Sequence, residues 1–323
     1  MISVESVTKR YGTLTAVNDL SFQVDRGEVV GFLGPNGAGK TTTMRMLTGT
    51  LQPDGGRVLF DGRPIGDDLT AARRRVGYLP ESNPLYEDML VCEYLEFTAR
   101  LRDLRGPALR GAIRRAAEQT GLAEVFYRPI AEASKGYRQR IGLAAAILHE
   151  PEILVLDEPT EGLDPNQRVE IRKLVSELGR ERTVLLSTHV MQEVEATCSR
   201  LLIISRGRLV AEGTVGDLIA GDTGLSQYTI EAEGDGVAAA LAALPGVDSH
   251  HTEPVDGRTR VRLAARGDAD ELRPRIFALA RDRGWTLWEL HRERASLEDV
   301  FRQLTTERDG VEPATARAAE VEA

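Results

Sequence analysis

The sequence predicts an α/β protein whose first part contains a mainly parallel sheet covered on both faces. Short, almost continuously apolar runs, such as "EVVGFLG" (28–34) and "EILVLDEP" (152–159), are typical of strands buried on both faces. Helical stretches, with apolar residues spaced near a period of 3.6, separate these runs. A change of pattern at "IAGDTGLSQ" (219–227), rich in Gly, Asp, Ser and Thr, predicts the boundary to a second domain.

The first domain, residues 1–220, is predicted from these apolar runs and the helices between them. The strand at 28–34 runs directly into glycines and then into a helix that begins with "KTTTMRMLTG". Alternation of strands with helices is the pattern of a sheet built from βαβ units. The further elements that we expect are strand 74–80, helices over 91–121 and 138–149, strand 152–159, strand 182–189 and a hairpin at 200–213 around Arg206-Gly207.

The second domain, residues 221–305, is predicted to be a ferredoxin-like α+β domain, because its elements follow the order β-α-β-β-α-β. An amphipathic helix at 296–305, with Ser296 as its N-cap, is expected to close it. The tail, 306–323, is rich in Ala and Glu, so we expect it to be disordered. The expected elements are strand 227–233, helix 236–244, strand 246–252, strand 258–264, helix 269–283 and strand 285–291.

The composition argues against several classes of protein. The chain has 323 residues and a formal net charge of −9, whereas nucleic-acid binders usually carry a basic face, so we expect no nucleic-acid partner. Its two cysteines, Cys92 and Cys198, form no CxxC pattern, which is typical of a reducing compartment. We expect no secretory signal, and no run of about 18 apolar residues predicts a membrane span. Any role at a membrane therefore requires a partner.

The stretch "GPNGAGKT" (34–41) fits the phosphate-loop pattern G-x-x-x-x-G-K-[ST] and lies between a strand and a helix, as that pattern requires. Its glycines let backbone amides wrap around phosphate oxygens, and the helix N-terminus adds a positive partial charge. Lys40 can reach the β- and γ-phosphates, and the Thr41 hydroxyl can ligate Mg²⁺. The residues expected to bind the nucleotide here are Gly34, Pro35, Asn36, Gly37, Ala38, Gly39, Lys40, Thr41 and Thr42.

Two acids and a histidine follow other buried strands of the predicted sheet. Asp157 ends the strand "ILVLD", at the edge where ligands bind in open α/β sheets, and is expected to hold Mg²⁺. Glu158 can polarise a water molecule that attacks the γ-phosphate. His189 ends "RTVLLSTH" on the same sheet edge, so we expect it to contact the γ-phosphate. We therefore predict Glu158 and His189 as the catalytic residues.

The stretch "SKGYRQR" begins another predicted helix and offers an anion site. Ser134 is a good N-cap, and Gly136 lets a bulky group approach the backbone amides of the first turn. The stretch nevertheless holds no base, nucleophile or metal ligand. It is either a capped helix or one half of a site whose other half lies elsewhere.

Six elements in this order resemble the ATP-binding cassette (ABC) ATPases. "GPNGAGKT" resembles Walker A, "ILVLDE" resembles Walker B and "SKGYRQR" resembles the ABC signature. "EGLD" (161–164) resembles the D-loop, His189 the switch histidine and Tyr11 the aromatic residue that stacks on adenine. The resemblance extends from Tyr11 to Gly213. It implies an ATP hydrolase with a P-loop ABC cassette, which comprises a mainly parallel core sheet, a β subdomain and a helical subdomain at 82–150.

The resemblance also offers a role for the signature. In this family the signature of one subunit closes over the ATP that Walker A of another subunit holds. One Walker A and one signature per chain then imply a head-to-tail homodimer that forms around two ATP molecules. Ser134 and the amide of Gly136 are expected to bind the γ-phosphate in trans. The signature residues expected to act in trans are Ser134, Lys135, Gly136 and Tyr137.

A narrower resemblance is to the ATPase subunits of ABC-2-type exporters, especially gliding-motility-associated and daunorubicin-resistance-type subunits. It is carried by "GYLPESNPLYEDMLVCEYLEF", "SKGYRQRIGLAAAILHEPEIL", "STHVMQEVEATCSR" and the closing "SLEDVF". It implies separate multi-span membrane permease subunits, export, and a cytoplasmic chain held peripherally on the inner face of the membrane. The segment after Glu81 and the helices at 86–121 are the expected coupling surface.

The chain departs from the family pattern at five positions. Ala133, Lys135 and Tyr137 stand where Leu, Gly and Gln are usual in the signature, and Lys135 is either a cation near phosphate or a solvated side chain. Glu161 replaces a small residue at the start of the D-loop. Glu81 stands where most relatives have Gln. Because it follows the strand "RVGYLP", its side chain is expected to face the γ-phosphate and to ligate Mg²⁺.

Other functions remain as alternatives. A soluble ABC ATPase acting on ribosomes or DNA usually carries two cassettes, a long coiled coil or zinc-binding cysteines, none of which this sequence has. A P-loop kinase gives no reason for a signature. The second domain is expected to be regulatory or to stabilise a dimer. Its histidines, His250, His251 and His291, are either a metal site or, as we favour, surface and strand residues.

Overall fold

The computed structural model describes residues 1–223, 225–266, 269–293 and 297–306. They divide into two compact units, the first Met1–Val215 and the second the described residues from Gly216 onwards. The boundary predicted at 220 lies five residues after this division. The N-cap expected at Ser296 and residues 307–323 of the expected disordered tail lie outside the described residues.

The first unit is built on a six-stranded sheet. In chain order, its strands and helices are β1 (Ile2–Tyr11), β2 (Leu14–Val24), β3 (Val29–Leu33), α1 (Lys40–Leu47), β4 (Gly55–Phe60), β5 (Arg63–Pro64), α2 (Leu69–Arg74), β6 (Val76–Leu79), α3 (Val91–Leu101), α4 (Gly106–Thr120), α5 (Lys135–Ile147), β7 (Ile153–Asp157), α6 (Pro165–Gly179), β8 (Thr183–Thr188), α7 (Met191–Thr197), β9 (Arg200–Ser205) and β10 (Arg208–Gly213).

The strands of the large sheet have the order β10-β9-β3-β8-β7-β6, and every neighbouring pair is parallel except the β9–β10 hairpin. The mainly parallel sheet is therefore confirmed. The hairpin turns at Arg206 and Gly207, both with positive φ, a conformation that suits a two-residue turn between twisted strands.

The large sheet is buried on both faces because alternate residues of its strands enter two different cores. In β7, Leu154 and Leu156 join a core with the helices α3 to α6, whereas Ile153 and Val155 join a second core on the opposite face. That second core also contains α1 and a smaller antiparallel sheet with the order β2-β1-β4-β5. The continuous apolar runs of the sequence follow from this double burial.

The helical structure expected over 91–121 is present, and the chain divides it into two helices. α3 ends at Leu101, and α4 begins at Gly106 with Pro107 in its first turn. Between them, Asp103 has a positive φ of 62°, a conformation that ends an α-helix. Proline is tolerated in the first turn of a helix, where its missing N–H has no partner to lose. The apolar spacing continues across this break and hides it in the sequence.

The second unit contains α8 (Val215–Thr223), β11 (Leu225–Glu233), α9 (Val237–Ala242), β12 (Val247–Val255), β13 (Arg258–Arg266), α10 (Ala269–Arg283), β14 (Thr286–Glu293) and α11 (Leu297–Thr306). Its antiparallel sheet has the order β12-β13-β11-β14, as a ferredoxin-like domain requires, and α9 and α10 contribute to its own apolar core. His250 and His251 lie on β12 and His291 on β14, which are the two edges of the sheet, so the three side chains do not share one metal site.

Candidate functional site

The phosphate-loop stretch connects β3 to α1 and is tightly packed where its glycines lie. A Cβ atom on Gly34 would lie 2.6 Å from the carbonyl oxygen of Ile204, and one on Gly39 would lie 2.5 Å from that of Ala16. Gly39 also has a positive φ of 103° as it enters α1. Both positions therefore require glycine, and the loop is held against neighbouring backbone rather than free in solvent.

Lys40 lies inside this loop and is almost completely buried. Its Nζ donates hydrogen bonds to the carbonyl oxygens of Gly34, at 2.8 Å, and Pro35, at 3.3 Å. The same atom lies 3.2 Å from Oε1 of Glu158, which directly follows β7. The loop thus presents one ammonium group that is already joined to the acid predicted to polarise water.

Asp157, the last residue of β7, has no exposed surface. Its Oδ1 accepts a hydrogen bond of 2.5 Å from Ser187 Oγ, whereas its buried Oδ2 has no hydrogen-bond partner among the described residues. Burial raises the pKa of Asp157, while the Ser187 hydrogen bond acts in the opposite direction. An unpaired, buried carboxylate oxygen is the kind of atom that a metal ion satisfies.

Thr41 and Glu81 complete this group of oxygens. The Thr41 hydroxyl donates to Glu81 Oε2 at 3.3 Å, and the Glu81 carboxylate also contributes to the raised pKa of Asp157. Hydroxyl and carboxylate oxygens are hard donors that suit Mg²⁺, which usually binds through one or two carboxylates together with substrate phosphates. The residues predicted to hold Mg²⁺ therefore fit that ion in the chemistry of their oxygen atoms.

Glu158 is fixed from both sides of its carboxylate. Oε1 faces Lys40, and Oε2 lies 3.0 Å from Nδ1 of His189, whose side chain is 42% exposed. The backbone N–H of Glu158 lies 3.1 Å from both the carbonyl oxygen and the Oγ of Ser187. Its φ of 48° is unusual for a residue that is not glycine and is maintained by these contacts. The strand ends thus bring both predicted catalytic residues together.

A cleft runs beside these residues and extends to the end of β1. Tyr11, which is 46% exposed, lines it together with Leu14. An exposed aromatic ring beside a phosphate loop is a surface on which a base can stack. Glu161 also lines the cleft, so a further carboxylate faces it. The lining residues are Tyr11, Leu14, Ala16, Asn36, Gly37, Gly39, Lys40, Thr41, Thr42, Glu81, Glu158, Glu161 and His189.

The four signature residues are not among the residues that line this cleft. Ser134 caps α5, and its Oγ accepts a hydrogen bond from the backbone N–H of Tyr137 at 3.3 Å. The Tyr137 hydroxyl donates to Glu124 at 2.9 Å, and this bond raises the pKa of Tyr137. The Lys135 ammonium lies against Gly162, where a Cβ atom would be 2.0 Å from it. Within one chain, the signature and the cleft remain separate.

Sequence reasoning missed four polar residues around this site. Ser187 binds Asp157, and Glu193 accepts hydrogen bonds from Thr160 and Thr188. The serine and threonine at the end of the apolar run "TVLLST" were a usable signal, because polar residues there lie at the ligand-binding edge of the sheet. Glu193 gave no such signal, since an acid in the first turn of a helix is normally a solvated partner of the helix dipole.

The chain matches known proteins over most of its length. The family model described as "ABC transporter" matches residues 17–161. A Nod factor export ATP-binding protein I from Burkholderia lata is 39% identical over 306 residues, which cover 94% of this chain and 96% of that protein. A daunorubicin resistance ATP-binding protein from Streptomyces coeruleorubidus is 36% identical over 308 residues, 94% of this chain and 95% of that protein.

A solved structure described as the ATP-binding subunit of an ABC transporter has the same fold as the first unit. Its TM-score is 0.62 at 30% sequence identity, and the match covers 68% of this chain and 92% of that chain. Within the described residues, every helix is too short or too polar to cross a membrane.

Proposed function

The chain belongs to the ABC transporter family of ATP-binding proteins, which hydrolyse ATP, and we propose that it is the motor subunit of an ABC-2-type exporter. The two relatives described above support export, because their names give export and drug resistance as their functions. Their similarity spans 94% of this chain and therefore includes the second unit. The substrate that is exported would be selected by membrane subunits rather than by this chain.

The observation that carries this proposal is the convergence of Lys40, Glu158 and His189 in one cleft while the signature lies outside it. ATP would lie with its base on Tyr11 and its phosphates in the loop at 34–42. Glu158 would accept a hydrogen bond from a water molecule, which attacks the γ-phosphorus as the bond to the β-phosphate oxygen breaks. ADP is the leaving group, and the water proton passes to the released phosphate. His189 would orient Glu158 and contact the γ-phosphate.

Mg²⁺ would be held by Thr41, Asp157 and Glu81, and when bound it neutralises charge that develops on the β- and γ-phosphates. The unpaired Oδ2 of Asp157 supports this assignment. Ser187 keeps the other carboxylate oxygen occupied, so that one oxygen of Asp157 remains directed to the metal.

The composite site would form when two chains meet head to tail. Ser134 and the amide of Gly136 of one chain would then bind the γ-phosphate that the other chain holds. The exposed Ser134 at the N-terminus of α5 supports this role, because a helix N-terminus attracts an anion. Two identical chains related by a two-fold axis would enclose two ATP molecules.

The coupling surface to membrane permease subunits would include an exposed aromatic cluster before and within α3. The ring of Tyr86 lies 6.2 Å from Tyr94 and 5.6 Å from Phe97, measured between centroids. Tyr86 is 58% exposed and Phe97 39%, and neighbouring exposed aromatic rings form the kind of apolar patch at which a partner can bind. Such a partner would hold the chain peripherally on the cytoplasmic face of the membrane.

The test is the dimerisation and ATPase activity of Glu158→Gln. The amide retains the size of the carboxylate but cannot act as a base, so we expect ATP binding with hydrolysis slowed by about 100-fold or more. The variant should accumulate as an ATP-dependent dimer on size exclusion with MgATP. Adding Ser134→Arg to this variant should abolish the dimer while leaving ATP binding intact. A chain that stays monomeric with saturating MgATP would contradict the two-site model.

A further inference from the structure

Glu193 is a buried acid whose contacts lie close to, but outside, the cleft. It occupies the first turn of α7 and is 3% exposed. Its Oε1 accepts a hydrogen bond of 2.6 Å from Thr160 Oγ1, and its Oε2 accepts one of 3.0 Å from Thr188 Oγ1. Both threonines are themselves buried. A carboxylate is costly to bury, and here its partners are two neutral hydroxyls rather than a cation or a metal.

The two threonines belong to the two segments that carry the predicted catalytic residues. Thr160 lies in the turn that follows Glu158, and this turn is closed by a hydrogen bond of 3.1 Å from Glu161 N to the Glu158 carbonyl oxygen. Thr188 immediately precedes His189, and its hydroxyl also accepts a hydrogen bond of 3.0 Å from Val190 N. Glu193 therefore links the segment of Glu158 to the segment of His189 through one side chain.

The helix that carries Glu193 is fixed on the sheet independently of this link. A Cβ atom on Gly31 of β3 would lie 2.8 Å from Val194 Cγ1 and 3.0 Å from Cys198 Sγ, so α7 approaches β3 as closely as glycine allows. Cys198 also packs against the apolar core that α3 to α6 form, so α7 is anchored by apolar contacts as well. Glu193 thus projects from a rigid support.

We propose that Glu193 is a positioning residue for ATP hydrolysis, which holds the Glu158 turn and the His189 strand end in register through Thr160 and Thr188. This inference rests on the roles of Glu158 and His189 in the proposed function. The hydrogen bonds from Glu158 N to Ser187 already join the two segments at one point, and Glu193 adds a second connection through Thr160 and Thr188. Without this second connection, the turn after Glu158 can shift relative to the strand end and disturb the 3.0 Å contact between Glu158 and His189.

The experiment compares threonine variants of the full chain in a steady-state ATPase assay with MgATP. Thr160→Val removes the hydroxyl and keeps the shape, and it should lower kcat by about 10- to 100-fold, as a small misplacement of reacting groups does. The KM for ATP should stay close to the wild-type value, because the phosphate loop is untouched. Thr160→Ser restores a hydroxyl and should restore kcat.

A matched control exists on α7 itself. The buried Thr197 Oγ1 has no hydrogen-bond partner among the described residues, so Thr197→Val makes the same chemical change without breaking a link. It should leave kcat unchanged. Glu193→Gln tests the same link from the other side, and combining it with Thr160→Val should lower kcat no further than the more severe of the two single changes.

Three results would overturn the inference. The first is equal kcat values for Thr160→Val and Thr160→Ser. The second is a double variant whose loss of kcat is the product of the losses in Thr160→Val and Glu193→Gln. The third is a loss of kcat in Thr197→Val as large as that in Thr160→Val, and each of these results would assign Glu193 a merely structural role. Glu158→Gln is measured in the same assay. Rapid hydrolysis by that variant would contradict the proposed function, whereas slow hydrolysis beside a fully active Thr160→Val would overturn only the role of Glu193.

Discussion

At the residue scale, several carboxylates lie at the cleft in which we propose that ATP binds. Glu81, Glu158 and Glu161 line it, and Asp157 lies buried beside it. Lys40 neutralises Glu158 directly, whereas Glu81 has the Thr41 hydroxyl as its partner. An acid at position 81 supplies an oxygen ligand, as a glutamine does, but lacks the amide donor and adds a negative charge near phosphate. Mg²⁺ and Lys40 must offset that charge.

We therefore predict a difference between two substitutions of Glu81. Glu81→Gln keeps the oxygen and should retain ATP affinity, with an ATPase rate changed by less than about tenfold. Glu81→Ala removes the oxygen and should raise the Mg²⁺ concentration for half-maximal ATPase by about 10- to 100-fold, as loss of a metal-supporting side chain does. The measurement is the ATPase rate against Mg²⁺ concentration, with Asp88→Ala as an exposed-acid control. Wild-type Mg²⁺ dependence in Glu81→Ala would remove this residue from the site.

At the element scale, the end of α5 is joined to β6 by His149. Its Nε2 donates a hydrogen bond of 3.1 Å to the carbonyl oxygen of Val76, and this assigns the ring proton to Nε2. Its Nδ1 is buried and has no partner among the described residues. Burial, with the positive charge of Arg102, lowers the pKa of His149 to about 4. The neutral ring is therefore part of the packing between helix and strand.

This contact predicts a loss of stability in mild acid. Because the pKa of His149 is about 4 in the folded chain and near 6.5 when unfolded, the unfolded chain takes up the proton first. The neutral His149 ring therefore contributes fully to the free energy of unfolding above about pH 6.5, and this contribution declines as the pH falls towards 4. At pH 5 the free energy of unfolding should be lower by about 1–2 kcal/mol than at neutral pH. His149→Gln keeps a donor for Val76 and does not titrate. The measurement is the free energy of unfolding of the first unit at pH 7.5 and 5.0. It should fall less between these two pH values in the variant than in the wild type, and an identical fall would refute the prediction.

At the scale of the whole molecule, the two units are built around separate apolar cores. The first unit has one core on each face of its large sheet, and the second unit has its own core between a four-stranded sheet and two helices. The cleft residues all precede Val215, where the chain divides. Among the residues that line the cleft, none therefore comes from the second unit of the same chain.

A chain that ends at Val215 should fold and bind ATP, because its cores and cleft are complete without the second unit. We expect a nucleotide affinity within about threefold of the full chain, since the lining residues are unchanged. The measurements are thermal unfolding and binding of MgATP, with Lys40→Ala in the same truncated chain as the negative control. A soluble, folded chain that does not bind ATP would show that the second unit is needed to form the site.

Much of the site was accessible from the sequence, because its residues lie at the ends of strands with a clear apolar pattern. Lys40, Asp157, Glu158 and His189 each follow such a run, and parallel strands end at one edge of a sheet. The local pattern indicated an anion site at Ser134 and Gly136, whereas the role of Tyr11 and the action of the signature in trans were identified through the resemblance to a family. The ferredoxin-like order of the second domain was likewise visible, because strands and helices have different periods.

The sequence by itself determined the fold class, the strand ends and the residues that meet at them, because these depend on local hydrophobic patterns. Only the tertiary structure decided where the helical segment 91–121 divides, and that Glu193 is buried. Glu193 is 33 residues from Thr160, and its burial depends on how closely α7 approaches Gly31. Such contacts arise from the packing of whole elements, which the pattern of a single segment does not encode.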